Sequence, residues 1–476
     1  MRTLRASRWR AVIWILAAAL PAAAGAAEPE LRLADAVRQA LEGNLDLAAR
    51  RRTLAANREE IDLARAPLLP QITVGARAQR LDDDRSDSNR GNTSENSTTL
   101  AAGATQVVYD ETSRANLDIQ RRVYAAQTQK FAGFRLGVIE DAANAFLGLD
   151  RARASLNIQQ RNRDITARNL ETSRARIAAG WSSERELLRW QSQLAANDTA
   201  VVQARTQVLV TRFEMNRVRN QPAEAPITPL PATSEEYGFV YARKLIVDAI
   251  AEPEGDRRLR DLLVRVGLKR SPQLAAIDEA IAAEERLLTA NRRAFWVPSV
   301  SLDASVDHLA ADDRSSGPDD DFHDTEWTLG ASLVFPLFQG GAKFAALRQA
   351  SETLSGLRLE RRAATQGLDQ SIRAAFAESS GSYANIAFAR KEQDAASRNY
   401  ELVNKSYVLG VASILDLLDA QTQLLNAELA VMNATYDFLE DLISAERQTA
   451  FFPFLEPEPE VTALLNRLEQ ELQSVP

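Results

Sequence analysis

The phrase ILDLLDAQTQLL at residues 414–425 is written a second time in this chain, as ERELLRWQSQLA at residues 184–195. Leu187-Leu188 fall in register with Leu417-Leu418, and Gln191-Ser192-Gln193-Leu194 with Gln421-Thr422-Gln423-Leu424. Gly180 and Gly410 precede the two phrases at the same distance and stand 230 residues apart. The echo extends upstream. NLDL at 44–47 resembles SPQLA at 271–275, an offset of 227, and LLPQITVGA at 68–76 resembles WVPSVSLDA at 296–304, an offset of 228. QVVYDETSRANL from 106 resembles FPLFQGGAKFAAL from 335, an offset of 229. Four landmarks in order at nearly one offset mean two copies of a long unit, because a period near 230 is far too long for a solenoid repeat. Whatever one copy builds, the chain builds twice.

Each copy follows one plan. A helix is expected over about 31–66 and again over about 257–295. Two strands follow in each copy, at about 70–81 and 98–109, then at about 297–308 and 326–338. Their signature is a period of two. Val300, Leu302, Ala304 and Val306 share one face, opposite Ser299, Ser301, Asp303, Ser305 and Asp307. Trp327, Leu329, Ala331 and Leu333 alternate in the same way, as do Ile72, Val74, Ala76 and Ala78 against Thr73, Gly75, Arg77 and Gln79. The strands of each pair are joined by polar, acidic segments, 82–97 and 310–324, read as exposed tips.

Long helices come next. No proline occurs from 71 to 221 or from 337 to 452, as expected where helix dominates, since an interior proline costs about 3 kcal/mol. Helices over 111–179 and 340–409 would each reach about 100 Å. Return helices over 183–220 and 414–450 carry heptads, as in Leu417, Leu424, Val431 and Phe438, matched by Leu187, Leu194, Val201 and Val208. Sevens sustained this far imply coiled-coil packing. The first repeat thus occupies 27–220 and the second 257–452. Between them lies 221–256, a proline-rich linker or equatorial insertion, and 453–476 reads as a peripheral tail.

The ends and the composition narrow the setting. Arg2, Arg5, Arg8 and Arg10, then AVIWILAAAL at 11–20 and Ala24-Gly25-Ala26, spell a secretory signal peptide over 1–26. Without it the chain has 53 basic against 65 acidic residues, a net charge of −12, unsuited to nucleic acid. The absence of cysteine excludes disulfides, thiolate metal sites and an acylated N-terminal cysteine. No later apolar run is long enough for a transmembrane helix, so a membrane role would fall to the strands. Four strands cannot close a barrel, and open edges are not tolerated in a bilayer. Three chains would supply 12 strands and two chains 8. The fold class expected is α+β, mostly α: a membrane β-barrel continuing into a long α-helical coiled-coil barrel.

On these features the chain resembles the TolC family of outer-membrane channel proteins, over about residues 30–450. The most specific residues are Tyr407 and Gly410 followed by Ile414-Leu415-Asp416-Leu417-Leu418-Asp419-Ala420. Gly180 with Glu186 fits the first-copy tip, and FPLFQGG fits a strand-to-helix turn. The resemblance implies a homotrimer with a 12-stranded barrel and a periplasmic tunnel. It also implies a periplasmic membrane-fusion adaptor and an inner-membrane transporter of the resistance-nodulation-division or ABC type as partners. Ala412 departs from the family, which commonly has an arginine there, and the missing cysteine separates this chain from the lipidated branch.

The tip residues carry two readings at once. Gly180 and Gly410 end helices, where glycine takes a left-handed conformation. Ser183 with Glu186 is a capping box, and Ser413 with Asp416 a weaker version with the shorter acid. Asp419 has no such explanation and lies one turn past Asp416. In a trimer, Asp416 and Asp419 would form two stacked acidic rings that favour cations and titrate above isolated carboxylates. Arg189 stands where Asp419 stands in the other copy, a reversal of charge. The expected closure network is Glu186 bonded to Tyr407, with Arg189 paired to a carboxylate of the neighbouring hairpin.

Other chemistry is thin. His308, His323, Asp82-Asp83-Asp84 and Asp319-Asp320-Asp321 read as solvated loop residues, and Trp181 as packing or an adaptor contact. No cofactor, metal or catalytic set is expected. The leading function is a passive exit duct for efflux of small toxic compounds, followed by an exit duct for type I protein secretion. A soluble periplasmic coiled-coil adaptor ranks below both.

Overall fold

The alternating segments pair and the proline-free segments coil, in a computed structural model that describes residues 30–82, 95–180, 183–233, 237, 239–312 and 324–473. Four strands, β2 (Gln71–Arg80), β3 (Asn96–Tyr109), β5 (Ser299–Asp312) and β6 (Thr325–Val334), form one antiparallel sheet in the order β2-β3-β5-β6. The two copies therefore meet along β3 and β5, with Ala102 opposite Val306 and Ala104 opposite Ala304. The register keeps the faces intact. Val306 pairs with Trp327 and Ala304 with Leu329, while Ile72 and Val74 face Ala104 and Ala102. Among the described residues nothing covers this apolar face: Val74 is 83% exposed and Trp327 74%. Among the described residues β2 and β6 are bare edges. Among the described residues no helix is long and apolar enough to cross a membrane.

From the sheet run α3 (Glu111–Ala178) and α8 (Ala342–Val408), of 68 and 67 residues, each about 100 Å long. They return as α4 (Glu184–Val218) and α9 (Ile414–Thr449). At the first strand-to-helix corner, Glu111 is buried and accepts from Tyr109 at 2.8 Å, Arg286 at 2.8 Å and Arg293 at 3.2 Å, binding the first copy to a helix of the second.

The helices expected as single spans at 31–66 and 257–295 are each broken. The first divides into α1 (Leu33–Gly43) and α2 (Leu45–Arg65), the second into α6 (Pro253–Arg270) and α7 (Pro272–Arg293). The breaks fall at Asn44 and Ser271, whose side chains cap the second helix by accepting from Leu47 N at 2.9 Å and Leu274 N at 3.3 Å. These two residues head the NLDL and SPQL landmarks, so the similarity there marks a shared cap.

The stretch 221–256 is no slack linker. β4 (Thr228–Pro229) pairs with β1 (Glu30–Leu31), and α5 (Lys244–Ile250) follows. Its Ile227, Val240, Tyr241 and Ile246 are buried in the main core, and α6 already begins inside it. The tail is not peripheral either. Residues Glu458–Gln473 form α10, whose Leu465 and Leu468 enter the same core. That core is a belt about midway along the long helices, where Phe146 of α3, Phe376 of α8 and Phe438 of α9 meet. Below it the helices continue alone to the tip.

Candidate functional site at the helical tip

Two hairpins form the end remote from the sheet. Gly180 (φ +77°) and Gly410 (φ +79°) are left-handed, and a Cβ at either would meet nothing within 4 Å. Glycine is required there for backbone conformation, not for space. The tip has its own small core, Leu170, Trp190, Tyr407 and Leu417, separate from the belt.

Capping differs between the hairpins, against expectation. Ser413 and Asp416 make the full box: Ser413 N and Oγ donate to the Asp416 carboxylate at 2.9 and 2.8 Å, and Asp416 N donates to Ser413 Oγ at 3.3 Å. These bonds hold the Asp416 carboxyl below its ordinary pKa, the Ser413 backbone N–H contributing most. The box expected at Ser183 does not form, and the Ser183 side chain makes no cap bond. Glu186 reaches across instead and accepts the phenolic hydrogen of Tyr407.

Tyr407 is the hub of the tip. It is buried, and Trp190 Nε1 donates to its hydroxyl at 3.4 Å. The Arg176 guanidinium lies over its ring, Cζ 4.6 Å from the centroid, while Nη1 donates to the Tyr407 carbonyl. Burial, and then the bond to the Glu186 carboxylate, push the phenol up to about 12. Arg176 and Glu186 belong to the first hairpin and Tyr407 to the second, so one side chain and its carbonyl latch the two together.

Asp416 and Asp419 are both exposed on α9, and Asp419 accepts from Gln423 Nε2 at 2.8 Å. Arg189 is exposed on α4 and has no ion-pair partner within the chain among the described residues. The chain thus brings Glu186 and Tyr407 together and leaves Arg189, Asp416 and Asp419 facing outward.

Sequence reasoning missed Trp190, Arg176 and a polar layer just above them. Trp190 stands at the position of Ala420 in the other copy, and both are buried. The signal was a large-for-small exchange inside the repeated phrase. In the polar layer, Gln421 Nε2 donates to Thr166 at 2.6 Å and Asn162 Oδ1 at 2.8 Å, and Asn197 donates to Thr166 at 2.7 Å, all buried. Polar residues inside a helical seam fix its register. The repeated glutamine pointed there, but nothing local marked its partners on α3.

His308 Nδ1 lies 2.9 Å from Thr325 Oγ1 on the sheet, and no metal-holding group of acids and histidines occurs among the described residues. Trp181, His323, Asp83, Asp84 and Asp319-Asp320-Asp321 lie outside the described residues.

Comparison with known proteins agrees with this architecture. The family described as outer membrane efflux protein matches residues 36–218 and 263–445. Outer membrane protein TolC of Salmonella enteritidis is 25% identical over 382 residues, covering 80% of this chain and 74% of that protein. Alkaline protease secretion protein AprF of Pseudomonas aeruginosa is 26% identical over 428 residues, covering 86% and 82%. The crystal structure of the Campylobacter jejuni CmeC outer membrane channel superposes with a TM-score of 0.71 at 16% identity, covering 93% of this chain and 90% of that one.

Proposed function

Because this chain belongs to the outer membrane efflux protein family, sits in the outer membrane and extends into the periplasm, we propose that it is the passive exit duct of a tripartite export system. The observation that carries the reading is the sheet's bare apolar face and open edges, continuing directly into helices about 100 Å long. Three copies would close a 12-stranded barrel, with the apolar face to lipid and Thr73, Arg77, Asp303 and Asp307 lining the lumen. Each copy is read as two repeats, 27–220 and 257–452, joined by the 221–256 segment at the belt. A periplasmic adaptor and an inner-membrane transporter complete the system, and small toxic compounds are the cargo.

At the tip, Asp416 and Asp419 become two rings of three carboxylates that admit cations and repel anions. The Ser413 bonds oppose the upward shift expected of clustered acids at Asp416. Arg189, exposed and charge-reversed against Asp419, pairs with a carboxylate of the neighbouring protomer and closes the entrance with the Tyr407–Glu186 latch. Bilayer conductance tests the two parts separately. Asp416→Asn with Asp419→Asn should abolish cation preference, and Arg189→Ala should raise conductance. An unchanged preference or an unchanged conductance would each overturn its own part.

The likeness to an alkaline protease secretion protein favours a second reading, an exit duct for type I protein secretion. A deletion strain separates the two: efflux predicts hypersensitivity to small compounds, secretion the loss of a secreted protein.

A further inference from the structure

The sheet carries the duplication in its register. β2 corresponds to β5 at the 228 offset, and β3 to β6 at the 229 offset. Moved by these offsets, the first pair of the β2–β3 hairpin, Gln71 opposite Thr105, falls on Ser299 opposite Val334. The last pair, Arg80 opposite Asn96, falls on His308 opposite Thr325. Both are observed pairs, so the two hairpins share one register from end to end.

The joint between the hairpins, β3 against β5, has no such counterpart within the chain, because β6 and β2 are the outer strands. Its counterpart is β6 of one copy against β2 of another, the same two edges one repeat further on. The register of the joint moves in the same way. Gly103 opposite Ser305 becomes Ser332 opposite Arg77. Ala102 opposite Val306 becomes Ala331 opposite Ala78, and Ala104 opposite Ala304 becomes Leu333 opposite Ala76. The strands then meet over 329–334 and 75–80. The two shifts in the β3–β5 register, at Thr98/Thr99 and Val107/Tyr109, map outside that stretch. The apolar face stays continuous across the joint, whereas a slip of one residue would set Leu333 opposite Arg77.

The polar face gives this joint a chemical reason. On it the described strands carry Asp303, Asp307 and Glu326 but a single base, Arg77. Asp303 accepts from Thr105 at 3.0 Å and from Ser301 at 3.1 Å, and the Ser301 and Ser332 hydroxyls lie 2.7 Å apart. Within its own chain Arg77 faces Thr99, at the far side of the sheet from β6. Set opposite Ser332, it brings a cation from the next copy to the hydroxyls around the Asp303 carboxylate. The next copy thus supplies a residue that the chain's own sheet cannot.

We infer that copies of this chain join β6 to β2 in the register of β3–β5, with Ser332 of one opposite Arg77 of the next. The joint rests on the duct reading above and adds to it the register and the polar cluster that the register completes.

The chain has no cysteine, so introduced pairs report without background. The full chain is expressed in outer membranes with Ser332→Cys combined in turn with Gly75→Cys, Arg77→Cys and Gln79→Cys, three positions on one face of β2. Directly opposite residues bring their Cβ atoms to about 5 Å, near disulfide range, and a two-residue shift displaces them by about 7 Å along the strand. Mild oxidation should therefore give covalent dimers and trimers from the Arg77→Cys pair about tenfold faster than from the other two. Bilayer conductance of the unaltered chain reports the duct separately. Fastest cross-linking from the Gly75→Cys or Gln79→Cys pair overturns the register and, with conductance intact, leaves the duct standing. No cross-linking from any pair, with conductance intact, overturns the joint alone. Absence of both conductance and cross-linking overturns the duct reading with it. Should Arg77→Cys fail to insert, Leu333→Cys with Ala76→Cys, compared with Val74→Cys and Ala78→Cys, reads the same register from the other face.

Discussion

Tyr407 donates its phenolic hydrogen to Glu186, a residue 221 positions away in the other repeat. With Trp190 and Arg176 on the same side chain, this bond makes the two tip hairpins one unit. Tyr407→Phe deletes the bond but keeps the ring under Arg176. It should lower tip stability by about 1.5–3 kcal/mol, the worth of a bond to a charged acceptor. Protection of tip amides from hydrogen exchange measures it; unchanged protection would show the bond to be idle.

The same tyrosine has a pH signature. Its phenol is raised from the ordinary 10.0 to about 12, so the folded state favours the neutral form. Its contribution is therefore fully present below pH 10 and is lost as pH rises through about 12. Absorbance titration should show a late-ionising tyrosine signal that falls in Tyr407→Phe and shifts downward in Glu186→Gln.

Capping should be asymmetric between the repeats. Ser413 makes a full box and Ser183 makes no side-chain cap. Ser413→Ala should cut exchange protection at the start of α9 by about fivefold, whereas Ser183→Ala should change little at the start of α4. Ser413→Ala should also raise the Asp416 pKa, measurable by carboxyl NMR. A depressed carboxyl adds stability above its unfolded value that is lost as pH falls through the folded one. The variant should therefore be less sensitive to acid than the parent. Equal effects of the two serine changes would refute the asymmetry.

Glycines separate by what surrounds them. A Cβ on Gly267 would collide with Ile372 Cδ1 and lie 3.3 Å from the Gln448 carbonyl, at the junction of α6, α8 and α9. Gly267→Ala should destabilise by about 1–3 kcal/mol. Gly356, inside α8, has nothing within 4 Å. Gly356→Ala should stabilise by about 0.5–1 kcal/mol through backbone entropy alone. Thermal melts of the two variants should move in opposite directions.

Much of this architecture is legible in the residues. The alternation of Val300, Leu302, Ala304 and Val306 reads directly as a strand, and the observed strand covers it. The long helices end within a few residues of where glycine ends the pattern. The breaks at Asn44 and Ser271 are less visible, because helical periodicity resumes at once on each side; beyond the caps, the local mark is Pro272, which opens α7. The 221–256 segment reads as a linker or an equatorial insertion and the tail as peripheral because proline and acid mark them, yet apolar residues of both, such as Val240 and Leu468, enter the belt core.

By itself the sequence determined what depends on neighbours along the chain. A period of two makes strands, an unbroken proline-free seven-residue pattern makes long helices, and a constant offset near 230 makes two repeats. Only the tertiary structure decided partners. Glu186 and Asp416 occupy matched positions in a repeated phrase, and local rules assign both to a cap. Asp416 takes the cap, while Glu186 leaves Ser183 for Tyr407. The reason is proximity across the fold: a buried phenol requires an acceptor, and the acceptor within reach belonged to the other repeat.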